Sequence, residues 1–472
     1  MLGTRPPRHL AELIHGPLNG GDPPHFARDI RRAIYAEVLS MGLPSMTGFL
    51  VASLYELVNM FWLARIGPAP VAAVTMSTTI IWILGFGNMV VGTGSLALIS
   101  RRFGANDLVR TEQAIKTTFL LKFLTGTVPG LIGIAALPWA LTLMGASPEV
   151  KRLAITYGTL QLAMLGVAMM SYSVYTSLRC MGRPRSALWI QVLSAGINCA
   201  LDPLLIFGWG PVPALGIFGA AVATSIAQLT VVVTGAAALE GPRSAVRVRW
   251  LKAPFPNLAE AWQMFRIGFA GGINSLSFAL ATMMVVRLVA GYGTVVVAIY
   301  GMSIKVLQFG IWAVVGLGLG TGALVGQFLG SGDLRKAWLS GVLSIRLAGW
   351  TMLGFAVAVL AGAPLIVRLF FTDPALIESG IVILRIMAFS LPFIGVHIGA
   401  ETVFEGAGQN IPPMVLSIVH SWVMVIPLMY LAGSILELGP TAVMVGWGLA
   451  HIFGGIAGLY LFRRGSWLKH QV

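Results

Sequence analysis

Runs of apolar residues, each roughly 20 or more long, recur twelve times along the chain with short polar clusters between them. They fall near 34–63, 70–99, 117–143, 152–178, 187–208, 215–239, 262–290, 295–328, 339–370, 377–404, 412–436 and 440–462. That length crosses the hydrocarbon core of a bilayer as a helix. Strands of a membrane β-barrel would be about half as long and would alternate in polarity, which these runs do not. The pattern predicts an all-α polytopic membrane protein with twelve transmembrane helices. Composition agrees, since 57% of the 472 residues are hydrophobic and 10% are charged. A soluble chain of this size could not be coated with so few charges.

The placement of charge sets the expected topology. With the N-terminus inside, the inner loops collect Arg5, Arg8, Arg28, Arg31, Arg32, Arg101, Arg102, Arg110, Lys116, Arg179, Arg183 and Arg185. The same side holds Arg243, Arg247, Arg249, Lys252, Arg266, Arg335, Lys336, Arg463, Arg464 and Lys469. The outer side holds little beyond Arg65, Lys151, Arg152, Arg287 and Arg368. This asymmetry predicts a multi-pass protein of the cytoplasmic (inner) membrane with both termini in the cytoplasm. It also accounts for the net charge of +14 as topology aided by anionic lipid headgroups, so no nucleic-acid partner is implied. Residues 1–33 lack the apolar core of a signal peptide and read as a cytoplasmic tail. Cys180 and Cys199 are too few for a disulfide framework or a Cys-rich metal site and read as small apolar fillers.

The chain repeats itself at an offset of 226 residues. "GLPSMTG" from Gly42 meets "GFAGGIN" from Gly268, and "VAAVTMS" from Val71 meets "VAIYGMS" from Val297. Ala64, Gly67, Gly92, Gly94, Gly104, Asp107, Pro148 and Gly182 meet Ala290, Gly293, Gly318, Gly320, Gly330, Asp333, Pro374 and Gly408. Each copy holds six spans, an even number, so the copies should be parallel lobes related by a pseudo-twofold axis along the membrane normal. The expected organisation is an N-terminal tail (1–33), an N-lobe (34–239), a basic cytoplasmic linker (240–261), a C-lobe (262–462) and a C-terminal tail (463–472). Two such lobes form a transporter architecture that exposes a central cavity to alternate sides. The His- or Asp-rich cluster at one face that a membrane enzyme would carry is absent from the sequence.

Ionisable residues at membrane depth are costly and point to function. Glu56 in span 1 and Asp202 in span 5 both stand about 10–12 Å below the outer surface at 1.5 Å per residue. Each has an amide on its own helix face, Asn59 at i,i+3 from Glu56 and Asn198 at i,i+4 before Asp202. Two carboxylates with neutral oxygen donors can hold Na⁺ or share a proton. Pro203, directly after Asp202, should loosen the helix and release a carbonyl. A pairing of Glu56 with Arg65 would span nine residues, two and a half turns. The positions 226 beyond Glu56, Asn59, Asn198 and Asp202 are Thr282, Val285, Met424 and Leu428, which confines the acid–amide site to the first lobe. The second lobe offers Lys305, Gln308, Arg385, His397 and Glu401 as cavity or gating residues, with His420 and His451 as satisfied packing residues. Lys305 and Arg385 would disfavour a purely cationic ligand unless Glu401 neutralises them.

The stretches "LYELVNMFWLARIG", "GTGSLALISRRFGAND", "SLRCMGRPRSALWIQVLSAGINCALDPLLIFG", "GIFGAAVATSIAQ" and "FEGAGQNIPPM" resemble the multidrug and toxic compound extrusion (MATE) family, prokaryotic type. The resemblance runs from about residue 35 to 462, and the order and spacing of the motifs carry it. It implies export of small organic compounds from the cytoplasm, driven by inward flow of H⁺ or Na⁺, with no other cofactor. It also implies that Asn198, Asp202 and Thr224 line a cation site. Span 1 departs from the family pattern. Relatives carry an aspartate where this chain has Asn59, and the acid, Glu56, stands a turn earlier. The resulting expectation is a monomeric antiporter with no enzymatic activity and no structural metal, coupled by preference to protons. The alternatives are a lipid-linked precursor or polysaccharide flippase of the same wider superfamily, and a channel.

Overall fold

The computed structural model describes residues 24–208, 213–242 and 244–470. Arg5 and Arg8 of the expected tail and Arg243 of the expected linker lie outside these residues. Among the described residues the chain is helical, without strands. Among the described residues ten helical stretches are each long and apolar enough to cross a bilayer, and two bent pairs, each taken as one span, bring the number to twelve. Every expected span therefore meets a helix or a helix pair.

The first unit in chain order that is compact by itself runs from Thr47 to Gly272. It holds the C-terminal part of α1 (Pro24–Ile66), α2 (Pro68–Leu84), α3 (Phe86–Gly104) and α4 (Leu108–Leu143). It continues with α5 (Pro148–Ala163), α6 (Leu165–Cys180), α7 (Pro184–Phe207), α8 (Ile217–Glu240) and the start of α9 (Leu258–Ala290). Its core gathers Leu63, Val74, Leu137, Leu141, Leu162 and Ile206. The second unit joins the chain up to Met46 with residues 273–472. It contains the rest of α9, α10 (Thr294–Gly330), α11 (Leu334–Phe370), α12 (Pro374–Phe389) and α13 (Leu391–Ala407). After α14 (Ile411–Ile418) the chain widens into π-helical turns on either side of α15 (Ile426–Tyr430), then runs through α16 (Gly439–Arg464) into a 3₁₀ turn at Ser466–Leu468.

The 226-residue repeat governs local structure. Asp107 and Asp333 each cap the helix that follows, accepting from the backbone N–H of Arg110 at 3.0 Å and of Lys336 at 2.9 Å. Ser147 and Asp373 cap α5 and α12 in the same register. Gly182 and Gly408 end α6 and α13 with φ of 71° and 77°, a conformation that costs glycine nothing. The copies differ in their bends. Span 2 bends by 50° at Gly85, whereas Ile311 stands at the matching place and α10 runs unbroken. Span 4 bends by 53° at Met164, whereas its counterpart, interrupted at Ser390 in the same register, continues as one span from Pro374 to Ala407.

The cut between units obeys the same offset, because Met46/Thr47 and Gly272/Ile273 are 226 residues apart. It falls inside α1 and α9, not in the loops at 240–261 where the lobes were expected to part. Glycines make the exchanged half-helices fit. In the Thr47–Gly272 unit, a Cβ on Gly268 would fall on the Val90 carbonyl oxygen, and one on Gly94 would fall on that of Met264. In the other unit Gly320 faces the Met41 carbonyl, and Gly42 faces the Leu317 side chain.

The expected linker is not loose. The Arg249 backbone N–H donates to Glu112 Oε1 at 2.8 Å, and Lys116 Nζ donates to the carbonyls of Lys252 at 2.7 Å and Pro254 at 3.0 Å. Glu112 and Lys116 also pair at 2.9 Å, both side chains nearly sealed. Gln113 holds the Phe255 carbonyl, and Arg102 pairs with Glu260. Truncating Glu112→Ala strips the Arg249 main chain of its acceptor and Lys116 of its counter-charge. Removing one partner of a buried pair costs about 3–5 kcal/mol, so we expect a clearly lower melting midpoint in detergent; an unchanged midpoint would show that the strap contributes nothing.

Candidate cation site

The candidate site grows from one helix face of the Thr47–Gly272 unit. On α7, Asn198 and Asp202 stand one turn apart and both are fully buried. On α8, Thr224 comes opposite them at 8% exposure. With the Asn198 amide turned to satisfy both of its ends, Nδ2 donates to Asp202 Oδ2 at 2.8 Å and Oδ1 accepts from the Thr224 N–H at 3.1 Å. The other carboxylate oxygen, Asp202 Oδ1, is buried and has no hydrogen-bond partner. Buried acceptors are rarely left so. Pro203 does not break α7, which continues to Phe207. Its missing N–H does leave the Cys199 carbonyl without its donor in the helical ladder.

Two tyrosines join this group that the sequence reading passed over. The Tyr55 hydroxyl approaches the Thr224 side chain and lies within electrostatic reach of Asp202. Tyr157, 5% exposed on α5, lies near both Tyr55 and Asp202. Tyr55 immediately precedes Glu56, and a tyrosine beside a membrane acid was the available signal.

Span 1 contributes differently from span 5. Glu56 is on an exposed position of α1, with Tyr55 and Tyr172 as neighbours of its carboxylate. Asp202 is sealed, so the two acids do not share one environment. Asn59 is half-buried, and its Oδ1 is enclosed without a hydrogen-bond partner.

The second unit assembles a cluster of its own. His397 Nδ1 meets the Gly454 carbonyl at 3.1 Å, and Asn274 donates to Glu401. Glu405 lies beside Glu401. His397 and Glu401 line a shallow cavity with Phe404, Pro413, Leu416 and Leu461. The ring of His420 sits 5.6 Å from that of His397 and 4.8 Å from that of His451. His451 is satisfied by the Trp447 carbonyl at 2.9 Å. His420 is not fully satisfied, contrary to expectation. It bonds the Ala450 main chain, but its Nε2 is buried with no partner, because the π-helical turn at Val419–Val425 sets it against the bare backbone of Gly454. Lys305 and Arg385 are both exposed, and Arg385 donates to the Leu360 carbonyl at 3.3 Å; Gln308 is half-buried. The structure does not bring these three to the histidine cluster.

The MatE family model matches the chain twice, over residues 44–204 and 272–431. The chain is similar to the multidrug export protein MepA of Staphylococcus haemolyticus, 24% identical over 408 residues that cover 86% of this chain and 88% of that one. It is 23% identical to the probable multidrug resistance protein NorM of Thermotoga maritima over 452 residues, covering 93% and 94%. Among solved structures, a MATE transporter in a bent conformation superposes with a TM-score of 0.85 at 23% identity, covering 94% of this chain and 98% of that one. A MOP superfamily transporter from Pyrococcus furiosus superposes with a TM-score of 0.86 at 24% identity, covering 93% and 97%.

Proposed function

Because the chain belongs to the MatE family of multidrug efflux transporters, we propose that it is a secondary antiporter that exports small organic compounds in exchange for protons. It is a multi-pass membrane transporter and not an enzyme. The observation that carries the coupling is the sealed Asp202 with one oxygen bound by Asn198 and the other without a partner. One orphan acceptor asks for one proton. A Na⁺ ion asks for several oxygens at once, and here the Asn198 carbonyl is already engaged by the Thr224 N–H.

Loading and release of the proton at Asp202 would favour opposite conformations, and the substrate would bind the conformation in which Asp202 is empty. Competition of that kind converts a gradient into export, because each ligand shifts the equilibrium only by its differential affinity. Asn198 orients the carboxylate, Thr224 fixes the amide, and Tyr55 covers the pocket from α1. Glu56, on an exposed face one residue further on, serves as an entry station for the proton. Charge asymmetry of the loops supports a cytoplasmic-membrane protein with both termini inside.

Proteoliposomes loaded with ethidium test this reading. We expect an inward proton gradient to drive efflux and a Na⁺ gradient alone to leave it at the rate of protein-free vesicles. Efflux driven equally by Na⁺ at matched pH would overturn proton coupling, and no efflux under either gradient would overturn export of such compounds.

A further inference from the structure

Lys122 stands at the fifteenth position of α4, roughly 21 Å along the helix at 1.5 Å per residue. It is 2% exposed, one of the largest fully buried side chains in the protein. Among the described residues its ammonium has neither a hydrogen bond nor an ion pair. Its ammonium lies 5.9 Å from the centroid of the half-exposed Tyr172 ring, and the charge acting on it is the like charge of Arg179. Arg179, on the last turn of α6, is 6% exposed; its Nε has no hydrogen-bond partner, and its guanidinium rests 5.4 Å from the Phe49 ring centroid. Lys122 thus lies in the field of Arg179, and among the described residues neither pairs with a carboxylate. A cation at membrane depth is costly unless something compensates it.

The fold does not require either charge. The residue 226 beyond Lys122 is Ala348, fully buried in the matching helix, and the residue 226 beyond Arg179 is Glu405. The same packing is therefore met elsewhere by a methyl group and by an acid. There is also room beside the ammonium. Apart from its own helix backbone, a Cβ added at Gly92 would meet only Lys122 Nζ, at 3.6 Å, within 4 Å.

We propose that Lys122 and Arg179, beside Gly92 and Tyr172, form a subsite for the anionic group of an organic substrate, a carboxylate, sulfonate or phosphate stacked through its aromatic part on Tyr172. The proposal rests on the export reading above and extends its substrate class to compounds carrying a negative group. Ammonium and guanidinium both donate to such oxygens, and Tyr172 supplies an apolar wall for the ring that bears them.

The test compares 5-carboxyfluorescein with ethidium. Equilibrium binding of carboxyfluorescein, read as fluorescence polarisation, is measured on the full chain in phosphatidylcholine nanodiscs. We expect Lys122→Met to weaken it by at least about tenfold, the factor of one charge-assisted hydrogen bond, and Lys122→Arg to restore most of the loss. Gly92→Leu, which fills the space without altering charge, should weaken it as well. In proteoliposomes the preference for carboxyfluorescein over ethidium should shift toward ethidium by a similar factor in Lys122→Met. Equal affinity in wild type and Lys122→Met, or a parallel change for both dyes, overturns the subsite. Loss of wild-type carboxyfluorescein binding when phosphatidylglycerol is added to the nanodiscs assigns the cations to a lipid headgroup and overturns a substrate role. Failure of ethidium efflux in wild type refutes the export reading by itself, since the binding arm requires no transport.

Discussion

Asp202→Asn is expected to leave a folded, membrane-inserted protein whose gradient-driven efflux falls by about 100-fold, toward the upper range of ordinary coupling factors. The amide keeps a carbonyl oxygen where Asp202 Oδ2 now accepts from Asn198 at 2.8 Å, so the bridge from α7 to α8 through Asn198 and Thr224 survives. What disappears is the group that can take up and give back a proton. The measurement is ethidium efflux from proteoliposomes under an imposed pH gradient, beside passive exchange of the same dye without one. Gradient-driven efflux at the wild-type rate would remove Asp202 from the coupling mechanism. Loss of efflux together with loss of monodisperse protein would assign it a structural role.

Gly268→Ala is expected to cost at least about 3 kcal/mol, above the usual range for inserting a methyl group into a packed core. A Cβ there falls on the Val90 carbonyl, which cannot turn away without breaking α3. Its repeat partner behaves differently. The nearest atom to a Cβ on Gly42 is Leu317 Cδ1 at 2.8 Å, the far end of a flexible side chain. Gly42→Ala should then cost about 1 kcal/mol, the price of a rotamer shift. Thermal unfolding of the two variants in the same detergent checks the contrast. Equal losses would mean that the main-chain contact of Gly268 yields more easily than its geometry implies.

The spans were legible because bilayer thickness imposes one length on every crossing helix, and the i,i+4 spacing of Asn198 and Asp202 by itself puts both on one face. Thr224 was legible only through family resemblance, since a threonine on a small-residue helix has no pattern of its own. Tyr55 and Tyr157 were hidden among aromatics that any membrane core contains. Lys122 was visible in principle as the lone cation between Phe119 and Thr125, but counting loop charges draws attention to the ends of spans and away from their interior. The orphan Nε2 of His420 depends on π-helical turns that no periodicity announces. The exchange of half-helices at Met46 and Gly272 was encoded in the repeated glycines, yet their meaning needed the partner backbones that they face.

That exchange sets an order of events as the chain leaves the ribosome. Residues 47–272 are contiguous, so their unit can complete its packing once the first 272 residues have been made. The segment ahead of them cannot. Ile34, Val38 and Met41 are buried at 1%, 0% and 4% in a unit whose other members begin at Ile273. The earliest apolar turns to be synthesised are therefore among the last to find their neighbours. Until then they form an exposed apolar surface of the kind that slows folding and invites misassembly.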